Sequence, residues 1–173
     1  MATKSILINY NGYPSTLDSL TPDNGLASLA GILTNNGHET LIMDFSAVSI
    51  IRRLIPNEIS NELNEAYEDI ISEMRSKGQL SKTKLDQLLL LDRKLERHKE
   101  EQLIVIADEI VEEAKRIGTD FIGFKLWTGD GFEGSVKIAS RIKEKLKNIK
   151  IFAGGPHVDW FMENIFDYTS TFD

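Results

Sequence analysis

The chain has 173 residues, 41% of them hydrophobic and 27% charged, with a formal net charge of −7, which suits one globular domain with an appendage. The acidic balance argues against a nucleic-acid surface, and no apolar run approaches the roughly 18 residues that span a bilayer. Zero cysteines exclude a disulfide framework, a thiolate nucleophile and any iron–sulfur cluster bound by this chain.

The opening Met1-Ala2-Thr3-Lys4 runs straight into a strand and is no signal peptide, so a cytoplasmic location is the expectation. Ser5 to Asn9 is that first strand, a short apolar run. From Tyr10 to Asp23 the chain is loop-like, with Asn11-Gly12 and two prolines as turn formers. Asp23 or Asn24 can cap a helix through Leu26, Leu29, Ala30 and Leu33, and Gly37 suits the left-handed residue just beyond its end. Glu39 to Asp44 completes a strand–helix–strand unit, right-handed by rule.

Between Ala47 and Glu101 the composition changes to charged, helical sequence with Gly78 as its one glycine. Two helices are predicted there, over 58–77 and 81–100, broken at Ser76-Lys77-Gly78. Leu103, Ile106, Ile110, Ala114 and Ile117 then repeat at helical spacing as a separate crossover helix ending at Gly118. A strand over Phe121–Leu126, an amphipathic helix over 132–147 and a strand over Ile149–Ala153 follow. A short helix over Val158–Phe166 and the start of a fifth strand at Thr171-Phe172-Asp173 close the chain.

Strands alternating with helices predict an α/β fold: a flavodoxin-like, doubly wound parallel sheet of order 2-1-3-4-5 with the last strand truncated. Residues 1–173 form a single domain on this view. An all-helical insertion, 47–101, separates the second and third strands, too long for a loop and expected to form a subdomain. Its tetraleucine, Leu88 to Leu91, exposes apolar atoms on more than one helix face. Packing between the insertion's own helices accounts for most of it, and a partner-facing patch is the sharper alternative.

Ligands of open α/β sheets sit at the carboxyl ends of the strands. Three loops meet that edge: Asn9-Tyr10-Asn11-Gly12-Tyr13, Trp127 to Gly131 with Thr128 and Gly129, and Gly154-Gly155-Pro156-His157. The first lacks the G-x-G-x-x-G of dinucleotide sites and the glycine–lysine pattern of a phosphate loop, and Ser15 and Thr16 come too late for a flavodoxin phosphate loop. Small and polar residues interleaved with aromatics suit a large flat organic ligand held by backbone amides and stacking; tight turns and core edges are the plain alternative. His157 has no nucleophile to activate, so it is expected to cap the following helix or to bond loop backbone. His38 and His98 are expected at the surface, and Asp44 is a possible ribose ligand.

Three stretches together resemble the cobalamin-binding domains of radical-SAM enzymes. They are Gly25-Leu26-Ala27-Ser28-Leu29-Ala30-Gly31-Ile32-Leu33 with Asn36-Gly37-His38-Glu39, Asp120-Phe121-Ile122-Gly123-Phe124 with Thr128, and Ile142-Lys143 with Gly154-Gly155-Pro156-His157. The resemblance covers 4–46 and 102–173 and implies a module that presents cobalamin to a radical-SAM domain of the same polypeptide. The expected contacts are Asn9, Tyr10, Asn11, Gly12, Lys125, Trp127, Thr128, Gly129, Gly154, Gly155, Pro156 and His157. It further implies base-off cobalamin, because the loop after the first strand offers no histidine to cobalt. S-adenosylmethionine and the iron–sulfur cluster would belong to a downstream domain, with this chain an N-terminal fragment that is not itself catalytic. Lys125 stands where that family has a small hydroxyl residue, and would either meet a phosphate of the nucleotide tail or crowd the tail. The competing expectations are a scaffold that binds nothing and docks through its helical insertion, and a sensor or enzyme holding another ligand, such as a flavin.

Overall fold

The structure is a computed structural model that describes residues 2–12 and 23–173. The chain divides into two compact units, one formed by 1–48 with 103–173 and the other by 49–102.

The first unit is an α/β layer built on four parallel strands: β1 (Lys4–Asn9), β2 (Glu39–Asp44), β3 (Phe121–Lys125) and β4 (Lys150–Gly154). Their order is β2-β1-β3-β4, consistent with a doubly wound sheet. Central β1 is buried from Ser5 to Asn9 because a parallel strand is covered on both faces. Register puts Ile6 between Leu41 and Ile122, and Leu7 between Ile42 and Gly123. Ile6, Ile8, Ile122, Phe124 and Ile151 therefore share one face, and all are buried.

Helices α1 (Asn24–Asn35) and α5 (Asp130–Lys145) make the crossovers within this unit, with the part of α4 (Lys82–Ile117) from Leu103 onward. Right-handed crossovers place α1 on one face and the other two on the opposite face. The covered face meets Ile106, Ile110 and Ala114 of α4 and Ile138, Ala139 and Ile142 of α5, all buried. On the α1 face Phe121, Gly123 and Lys125 are half-buried, and Phe152 is 46% exposed. This asymmetry creates the groove described below.

Thr171-Phe172-Asp173 does not form the expected fifth strand. A single backbone bond, from the Asp173 amide to the Ile151 carbonyl at 2.8 Å, lays the chain end beside β4. The Asp173 carboxylate stands in for a strand carbonyl by accepting the Ile151 N–H at 2.9 Å. That bond, with Lys150 and Lys143, holds the carboxyl well below its ordinary range. The predicted last helix is also different. It starts at Pro156, where proline suits a first helical position, runs as α6 (Pro156–Phe161), and gives way to a 3₁₀ turn over Met162–Asp167. Met162, at φ 45°, breaks the α geometry.

The second unit holds α2 (Val48–Leu54), α3 (Asn57–Lys77) and the first part of α4. Sequence periodicity misses α2, a seven-residue helix that stops just ahead of Pro56. The break foreseen at Gly78 is present: φ is 67° there and its amide bonds the Met74 carbonyl. The break foreseen near residue 101 is absent, and α4 runs unbroken for 36 residues. No glycine or proline lies between Lys82 and Ile117 to stop it. Among the described residues no helix is long and apolar enough to cross a membrane.

Glu73 ties the α3–α4 turn together. Its carboxylate accepts from Lys77 Nζ at 2.9 Å, Ser81 Oγ at 2.9 Å and the Ser81 amide at 3.2 Å. The Lys77 ammonium first, then the two Ser81 donors, pull its pKa from 4.5 to about 2. A depressed carboxyl stabilises the fold fully above its free value and loses that effect as pH falls through the folded one. The difference in melting temperature between wild type and Glu73→Gln should accordingly be largest near neutrality and shrink between pH 4.5 and about 2. A pH-independent difference, followed by circular dichroism, would show that the carboxylate charge has no part in it.

Candidate functional site: an apolar groove at the carboxyl edge

A groove of about 450 Å³ lies between α1 and the half-open face of the sheet. Leu26, Leu29 and Leu33 of α1 form one wall, because leucines three and four apart project from one helix face. Leu7, Phe121, Gly123 and Phe152 form the floor, with the two phenyl rings edge to face at 5.7 Å. At the carboxyl end the groove opens past Lys125, Gly154 and Gly155. A Cβ at Gly154 would meet nothing within 4 Å, so this glycine leaves space unfilled rather than relieving a clash. Gly155 differs: its φ is 94° and a Cβ would lie 2.9 Å from Lys125 Cγ, so only glycine fits well there.

A polar rail crosses the mouth. Lys125 pairs with Asp23, whose Oδ1 also accepts the Leu26 amide at 2.8 Å and so caps α1. Burial by itself would raise the Asp23 pKa; the bonds from Lys125 and from the Leu26 amide outweigh it and hold the carboxyl below its usual value. The Lys125 ammonium also sits 4.4 Å from the centre of the Trp127 ring. The Trp127 indole donates to Asn9 Oδ1 at 2.9 Å, and Asn9 Nδ2 donates to Asp44 Oδ1 at 3.0 Å and Ser46 Oγ at 2.8 Å. Asp44 is thereby committed to Asn9 and the Ser46 amide rather than offered to a ribose.

Of the residues expected at a ligand, Lys125, Gly154 and Gly155 line the groove. Asn9 and Trp127 belong to the rail. Tyr10 is buried against α5, where a Cβ on Gly134 would come within 2.3 Å of its ring. The Asn11 backbone and Gly12 pack on the start of α5, at Gly131 and Asp130. Thr128 is exposed, and Gly129 precedes α5 with φ 59°. Pro156 opens α6. Tyr13, Ser15 and Thr16 lie outside the described residues.

His157 does not cap a helix. Its imidazole is stacked on Phe132 at 4.0 Å and tilted against Phe161 at 4.5 Å, and Nδ1 has no hydrogen-bond partner among the described residues. Burial between the two rings lowers its pKa, favouring the neutral form. Neither His38 nor His98 is a loose surface residue. His38 Nδ1 accepts the Thr3 amide at 3.1 Å, and His98 Nε2 donates to the Arg53 carbonyl at 2.7 Å. Among the described residues no group of three or more metal-ligating side chains is placed to hold an ion.

Periodicity passed over the floor and wall of the groove. Only Gly123, a glycine inside a strand, signalled a close approach; Phe121, Phe152 and the α1 leucines look like ordinary core positions in sequence. No protein-family model, no curated protein and no solved structure matches the chain.

Proposed function

We propose that the first unit is a cobalamin-binding module of flavodoxin-like type, its four strands being part of a sheet of order 2-1-3-4-5. The observation that carries this reading is the groove: apolar walls, a volume of about 450 Å³, and a mouth at the carboxyl edge where Gly154 leaves room. A flat aromatic base on a nucleotide tail suits such a slot, which is within the size range of small-molecule sites. Leu7, Gly123 and Phe152 would face that base, and Leu26 and Leu29 would close over it. Lys125, at the mouth, is the cation placed to meet the tail's phosphate, exchanging part of its contact with Asp23. The corrin would rest outside the mouth near Thr128 and Gly129, base-off, since Asn9 to Gly12 include no histidine. Bound cobalamin would supply methyl-transfer or radical chemistry, and this chain's task is to hold and orient the cofactor for a radical-SAM domain of the same polypeptide.

The test is retention of hydroxocobalamin through gel filtration, read from the visible spectrum. Wild type should retain the corrin in the base-off form. Gly154→Leu should keep the same circular dichroism and lose retention, because its side chain enters open space in the groove. Wild type that emerges colourless would overturn the proposal. Equal retention by Gly154→Leu would place the cofactor elsewhere. A scaffold role for the helical second unit draws on a different observation, the apolar face described next.

A further inference from the structure

The α3–α4 hairpin has two unlike faces. The cross-helix ion pairs Glu62–Lys94 at 2.7 Å and Asp69–Lys84 at 2.9 Å close one of them. They also set the register, putting Ile71 and Tyr67 of α3 at the levels of Leu85 and Leu89 of α4. The hairpin's own core is Ile59, Ala66 and Leu95. Helical spacing puts Tyr67, Ile71 and Met74 on one side of α3, and Leu85 and Leu89 on one side of α4. In an antiparallel pair both sets fall on the same face, opposite the ion pairs. These five large apolar side chains are 44–51% exposed, and helical spacing sets them side by side, as in the apolar patches that mark interaction sites. Leu90, the most exposed leucine of the tetraleucine at 67%, points elsewhere and is not part of it.

We propose that this face is covered by the same face of a second copy, giving an antiparallel four-helix bundle at the centre of a homodimer. The argument for a second copy is charge. On helical spacing Arg75 and Lys82 flank the patch at the hairpin tip, and at the other end Asp92 and Glu96 outnumber Arg93. Among the described residues Arg75, Lys82 and Asp92 take part in no ion pair, while Glu96 meets only Lys99, on its own helix. A two-fold axis through the middle of the patch turns one hairpin end for end over the other. The cations of each copy then lie over the acids of its partner, as an isologous interface requires. Two apolar helix pairs meeting in this way reproduce the packing of four-helix bundles.

Sedimentation equilibrium of the full chain, from low-micromolar to sub-millimolar concentration, decides the matter. Wild type should show a monomer–dimer equilibrium. Ile71→Glu should weaken it by about 100-fold or more, with the helical circular dichroism unchanged because the side chain is already half exposed. Lys82→Glu should weaken the dimer, and adding Asp92→Lys should restore it, a recovery that loss of fold cannot mimic. Three results overturn the proposal: a wild-type monomer throughout, as expected if another protein covers the face; a dimer indifferent to Ile71→Glu; or no recovery in the charge-reversed pair.

Discussion

Gly12→Ala is expected to destabilise the chain by about 2–4 kcal/mol. Gly12 has φ 69°, in the left-handed region, and a Cβ there would lie 2.7 Å from both Asp130 Cβ and the Gly131 nitrogen. The backbone conformation alone costs an L-residue about 1 kcal/mol. The clash adds about 1–3 kcal/mol, because the obstacle is the backbone at the start of α5 and not a side chain that can swing away. Gly37 is the internal control: its φ is 81°, yet a Cβ there meets nothing within 4 Å. Gly37→Ala should therefore cost only the conformational part, about 1 kcal/mol. Urea titrations of the two variants measure the difference. Equal losses would mean that the loop after β1 yields freely and that its packing on α5 contributes nothing.

Asp23→Ala should cost about 2–4 kcal/mol through two separable effects. Removing the cap of α1 costs about 1 kcal/mol. The remainder comes from leaving the Lys125 ammonium, whose side chain is 19% exposed, without its carboxylate. Asp23→Asn keeps an acceptor for the Leu26 amide, so it should lose mainly the second effect. Lys125→Met in the Asp23→Ala background should recover most of it, since an unpaired charge held largely out of water is worse than an apolar side chain of similar length. A double variant no more stable than Asp23→Ala would remove the ion pair from the account. The sign with pH follows from the depressed Asp23 carboxyl: its stabilising effect is complete above the ordinary carboxylate pKa and disappears as pH falls through the lower folded value.

Both variants bear on the site. Asp23 and Lys125 are 102 positions apart in the chain, and their pairing couples the α1 cap to the mouth of the groove. A cofactor phosphate at Lys125, as proposed, would compete with the residue that starts α1, whose Leu26 and Leu29 are the groove wall. On the proposed reading, ligand entry and the order of α1's first turn would therefore be linked through one carboxylate.

Several elements of both units were legible from local pattern. The β1 and β2 strands, α1 with Asp23 as its cap, and the glycine at the end of α3 each rest on short-range chemistry: apolar runs, a capping side chain, a left-handed residue. The fold departs from local pattern where short-range signals are silent or misleading. The α4 helix joins two segments whose different roles suggested a break, but a helix stops only at residues that oppose it, and none intervenes. His157 looked like a polar group seeking backbone; Phe132 and Phe161, 25 residues earlier and four residues further on in the chain, convert it into a stacked ring.

Composition and pattern alone establish an acidic, cysteine-free α/β chain with a long helical insertion, because charge count, residue type and periodicity are properties of the residues in order. The groove and its mouth are not such properties. They depend on Leu7, Gly123 and Phe152 falling on one face through parallel register, and on α1 covering only part of that face. They depend too on Lys125 reaching back to Asp23 across the carboxyl edge. Contacts of that kind are made by strand order and crossover hand, which bring together residues that share no local pattern.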